Sequence, residues 1–81
     1  MEGKLTFDYS KLRGRIVEMF GSQKEFSKAM NISQATLTSK LTGLTYFSQS
    51  EISRAGTLLR LEPESISSYF FTPKVEKTKL I

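Results

Sequence analysis

The 81-residue chain contains no cysteine and no histidine. Without cysteine there is no disulfide framework and no thiol chemistry. Without histidine the usual zinc sites and the usual general base are missing. No apolar run approaches the ~20 residues that a membrane helix needs. Met1 to Phe7 mixes polar and apolar residues and lacks the apolar stretch of a signal peptide. A cytoplasmic protein with no cofactor and no metal is therefore expected. There is also no phosphate-cradling glycine loop and no paired-carboxylate motif, so the sequence reads as a nonenzyme.

What is present is enough for one small core. Leu, Ile, Val and Phe make up 22 of the 81 residues, above the level of disordered chains. The length suits one domain. Such a core supplies only ~3–5 kcal/mol without a staple. Lys and Arg number 12 against 8 Asp and Glu, a net charge of +4. That excess points toward a polyanionic partner. Most of it falls in residues 1–43, with a smaller share in residues 74–81, while residues 62–73 are acidic.

Helix starts organise the chain. Ser22-Gln23-Lys24-Glu25 and Ser48-Gln49-Ser50-Glu51 have the spacing of capping boxes. Asp8 can cap a segment starting at Tyr9, and Ser33 one starting at Gln34. Glu62-Pro63 offers proline at a first helical position, where its missing N–H costs nothing. Four starts carry an apolar staple: Phe7–Leu12, Ile32–Leu37, Phe47–Ile52 and Leu61–Ile66. Apolar residues between the starts follow helical spacing. Tyr9, Leu12, Ile16, Met19 and Phe20 form the first stripe, closed by Gly21. Phe26, Ala29 and Met30 form the second; Leu37 and Leu41 the third, closed by Gly43. Ile52, Ala55, Leu58 and Leu59 form the fourth. Ile66, Tyr69, Phe70 and Phe71 belong to a fifth, from Pro63 to about Phe71. No segment alternates as a strand would. The sequence predicts an all-α, compact five-helix domain over residues 8–71, with an N-terminal segment 1–7 and a basic tail 72–81.

The second and third helices are short and joined by Asn31-Ile32-Ser33. Asn31 stands where the chain must reverse, and asparagine tolerates the left-handed conformation well. Ile32 can plug the corner. This is a helix-turn-helix layout. The stretch from Gln23 to Gly43 resembles the DNA-binding motif of phage Cro and repressor proteins. Gln23, Phe26, the Asn31-Ile32-Ser33 turn, Leu37 and Gly43 carry the resemblance. Ser27 and Asn31 depart from it, since the family usually has Ala and Gly there.

The resemblance implies a lambda-repressor-like fold, with helices 2 and 3 as the motif and residues 34–42 as the recognition helix in the major groove. It implies base contacts from Ser33, Gln34, Ala35, Thr38, Ser39 and Thr42. Gln34 would pair with adenine. Phosphate contacts would come from Ser22, Gln23, Lys24, Lys40, Thr45 and Tyr46. The recognition helix has no Arg and no Asn, and its only charge is Lys40. Lys11, Arg13 and Arg15 are read as a solvated face of helix 1. Three adjacent aromatics cannot all face one core, so Tyr69, Phe70 and Phe71 suggest a partner surface, for a homodimer or a second regulatory protein. Val75, Leu80 and Ile81 would extend it.

Two functions compete. One is a sequence-specific transcriptional regulator of Cro/repressor type with double-stranded DNA as partner. The alternative is an antirepressor-like interaction module that binds another regulator. Steep salt dependence would mark the first.

Overall fold

The computed structural model describes residues 6–74. Five helices follow in order: α1 (Ser10–Phe20), α2 (Gln23–Met30), α3 (Gln34–Leu41), α4 (Gln49–Leu58) and α5 (Ile66–Phe70). A 3₁₀ turn over Pro63–Ser65 leads into α5. The described residues contain no strand, only an isolated bridge between Phe7 and Pro73.

Local chemistry sets the helix starts. The hydroxyls of Ser22, Ser33 and Ser48 accept the backbone N–H groups of Glu25, Thr36 and Glu51 at 3.2, 2.9 and 3.1 Å. At α4 the box is complete, because the Glu51 carboxylate accepts the Ser48 N–H at 2.8 Å. At α2 Glu25 faces Lys28 at 3.6 Å instead. Asp8 accepts the Ser10 N–H, so α1 begins one residue later than its sequence suggests. Proline at the fifth start opens the 3₁₀ turn, and α5 itself begins at Ile66.

The turns need left-handed residues. Asn31 has φ +63° and its N–H bonds the Lys28 carbonyl, which closes α2. Gly21 closes α1 at φ +86°. A Cβ at Gly21 would meet nothing within 4 Å. The cost of Gly21→Ala therefore lies in the backbone alone, and a loss of about 1 kcal/mol is expected. A lower urea midpoint with an unchanged m value would show it.

α1 packs on α2 and α5, and α2 also packs on α3 and α4. The core joins Tyr9, Leu12 and Ile16 with Phe26, Met30, Leu37, Leu41, Phe47, Ala55, Leu59 and Phe70. Rings run edge to face through it: Tyr9 on Phe47 at 5.5 Å, Phe47 on Phe70 at 5.3 Å, and Phe20 on Phe26 at 5.2 Å. The staple residues Phe7, Ile32, Ile52, Leu61 and Ile66 are partly buried against it. Ala29 differs from the expected stripe. It is exposed, and Ser27 takes the buried place, its hydroxyl donating to the Lys24 carbonyl at 2.7 Å.

Of the basic residues of α1, Lys11 is exposed as expected, but Arg13 and Arg15 are half-buried rather than part of a solvated face. Arg13 donates to the Leu41 carbonyl at 3.0 Å, and Arg15 to that of Leu59 at 3.0 Å. Arg54 of α4 donates to the Met30 carbonyl at 3.2 Å. Each guanidinium meets the C-terminal end of another helix, where carbonyls lack partners and the helix dipole favours positive charge. Lys11 lies over the Tyr69 ring at 4.7 Å and donates to Ser68. Near the ends, the Asp8 N–H bonds the Thr72 carbonyl and the Lys74 N–H bonds that of Thr6. These bonds tie residues 6–8 to residues 72–74.

Candidate interaction face

α3 turns Leu37 and Leu41 inward and leaves Ser33, Gln34, Ala35, Thr36, Thr38 and Thr42 exposed. Ser39 is half-buried. Three of the hydroxyls are already engaged. Ser33 caps the helix and donates to Thr36 Oγ1, and Thr42 donates to the Thr38 carbonyl. Gln34, Ala35 and Thr38 remain as the outward side chains with contact capacity.

Lys40 is not on this face, contrary to the expected phosphate contact. It is only 9% exposed. Its Nζ lies 3.1 Å from the Glu51 carboxylate and donates to the Tyr46 carbonyl at 3.0 Å. The reason is helical phase: position 40 lies three after Leu37 and beside Leu41, so its apolar stem is carried into the packed side. The ammonium then clamps the loop between α3 and α4. The outward face of α3 consequently bears no charge. Of the other expected phosphate-contact residues, Ser22 and Gln23 are half-buried, while Lys24, Thr45 and Tyr46 are exposed.

Glu51 feels opposing effects. Burial raises its pKa, but the Ser48 N–H and then Lys40 more than offset this, so it lies below its ordinary 4.5. A lowered folded value stabilises the fold above the unfolded value and is lost as pH falls through the folded one. Unfolding free energy is thus expected to fall on acidification below about pH 4.5, the ordinary value. Glu51→Gln should give a shallower fall in acid denaturation curves. Asp8, lowered by the Ser10 hydroxyl and then the Ser10 N–H, titrates on the same limb.

Beyond α3, the loop through Leu44 and Tyr46 borders a groove of ≈ 290 Å³ lined by Phe7, Tyr9, Tyr46, Phe47, Ile52, Phe70 and Phe71. The Phe7 ring meets Tyr46 at 6.2 Å and Phe71 at 5.7 Å, edge on. Burial, and secondarily Tyr46, raise the Tyr9 pKa, so its phenol stays neutral. The expected aromatic surface divides here. Phe71 is exposed, Tyr69 is half-buried beneath Lys11, and Phe70 is buried in the core, reached only through the floor of the groove. The Val75, Leu80 and Ile81 positions lie outside the described residues. Phe7 and Ile52 escaped the sequence reading as surface residues, since their staple positions marked them only as packing.

Fold and face define a small all-helical protein that presents an uncharged helix face beside an aromatic groove. The family model described as "Protein of unknown function (DUF739)" matches residues 5–73, and the chain belongs to that family. It is similar to a solved structure, the modulator of repression (MOR) of the temperate bacteriophage TP901-1 from Lactococcus lactis. The two are 38% identical with a TM-score of 0.68, and the match covers 91% of this chain and 100% of that one. No curated protein matches the chain. These findings overturn the expected Cro/repressor membership and, with it, the DNA-binding regulator as the main functional reading. Among the described residues no helix is long and apolar enough to cross a membrane.

Proposed function

We propose that this chain is a regulator-binding module: it binds a transcriptional repressor protein and so modulates repression, with no catalytic step. The observation that carries this is the uncharged outward face of α3, whose one cation is turned into the fold. Binding to DNA rests on cations that neutralise phosphates. Here Arg13, Arg15 and Arg54 meet helix ends, Lys40 meets Glu51, and Lys28 meets Glu25. Of these, Arg13, Arg15 and Lys40 are drawn into the fold, and none of the five lies on the outward face of α3. A neutral face of hydroxyl, amide and methyl groups suits a protein surface, and the likeness to a modulator of repression supports the same reading. Such a role places the chain in the cytoplasm with its regulator.

The test is calorimetric titration with the repressor encoded in the same genome, at 50 and 200 mM salt. Affinity is expected to change by less than about 10-fold, whereas a protein with 6–10 phosphate contacts loses ~10³–10⁵ over that range. Absence of any repressor binding at micromolar concentrations would refute the reading.

A further inference from the structure

We propose that the aromatic groove receives one apolar side chain of the repressor, an anchor that fixes it on this face. This rests on the regulator-binding reading above and adds the place of attachment. Every residue lining the groove is apolar or aromatic. Tyr9, Phe47 and Phe70 form a buried floor, while Tyr46 and Phe71 stand about half exposed as its lips. Its ≈ 290 Å³ is ample for an apolar side chain of the Leu, Met or Phe class. An apolar anchor in a desolvated pocket, ringed by neutral contacts, is how most interface energy is concentrated.

The surroundings select the occupant. The large exposed apolar side chains of the described residues are Val17, Leu44, Tyr46 and Phe71. Val17 is on α1; the other three belong to the groove or to the loop at its lip. That loop continues directly from α3, and Gly43 lies against Thr6, next to Phe7. One partner can therefore cover α3 and fill the groove together. The adjoining surface carries Asp8, Lys74 and the half-buried Arg13, one positive charge in excess. That excess disfavours a cationic anchor and suits an apolar one with an acidic neighbour. A second copy of this chain is the competing occupant, which the sedimentation measurement below detects.

The experiment titrates the wild type, Phe71→Glu, Phe71→Leu and Val17→Glu with that repressor, with circular dichroism melts to confirm folding. Phe71→Glu is expected to weaken binding by about 30-fold or more, as loss of a hot spot does. Phe71→Leu and Val17→Glu should stay within about 3-fold of wild type, as peripheral changes do. If Phe71→Glu does not fold, Tyr46→Glu on the opposite lip is read in its place. Wild-type affinity in the charged variant would overturn the groove while leaving regulator binding intact. No binding by the wild type would overturn both. A concentration-dependent dimer in sedimentation that Phe71→Glu breaks would overturn the repressor as occupant and assign the groove to a second copy.

Discussion

Phe26→Ala is expected to leave the chain unfolded at 25 °C. The Phe26 side chain is fully buried, with its ring 5.2 Å from that of Phe20. It lies on α2, the helix that touches α1, α3 and α4. A cavity there lies in the core beneath the helix with the most helix neighbours. Truncating a buried phenylalanine to alanine costs about 3–5 kcal/mol. A core of this size supplies only ~3–5 kcal/mol in total, without disulfide or metal. The loss therefore equals the whole stability. Far-UV circular dichroism should show loss of helix in the absence of denaturant. A cooperative thermal transition close to that of the wild type would contradict this.

Lys40→Met is expected to destabilise the fold by about 2 kcal/mol at pH 7. Methionine keeps the apolar stem but removes the charge that faces Glu51 and the bond to the Tyr46 carbonyl. Breaking a fully buried pair costs about 3–5 kcal/mol. Glu51 keeps a quarter of its side-chain surface in water and the bond from the Ser48 N–H, which holds the loss below that range. Adding Glu51→Gln to Lys40→Met should recover part of the loss, because the unpaired carboxylate is then gone. Urea unfolding of both variants measures this. If Lys40 were a solvated phosphate contact, Lys40→Met would leave stability within ±0.5 kcal/mol, as surface changes do.

Much of the helical framework is legible in the sequence because its causes are local. Ser22, Ser33 and Ser48 bond groups three residues away, and Asn31 turns the chain within its own peptide unit. The split among Tyr69, Phe70 and Phe71 is also foreseeable, since adjacent helical residues point in different directions; which ring goes inward depends on the packing of α5 on α1. The roles of Arg13 and Arg15 are not legible, because their carbonyl partners are 28 and 44 residues away. The sequence does hold a signal for Lys40, whose spacing from Leu37 places it on the packed flank, but its charge argues for the opposite face. The groove depends on pairing between residues 6–8 and 72–74, which no local pattern announces. The step from motif to function fails for a different reason. Two short helices and a turn set the direction of α3, and only the side chains left outward decide what it touches.

The most direct measurement follows the backbone amides of isotope-labelled protein by NMR during two titrations, one with the repressor and one with a duplex of double-stranded DNA. The account predicts that the repressor shifts the amides of α3 and of the groove, with Gln34, Thr38 and Phe71 among them, and that the duplex leaves them in place. Shifts along α3 on adding DNA that vanish as salt rises, with none on adding the repressor, would contradict it.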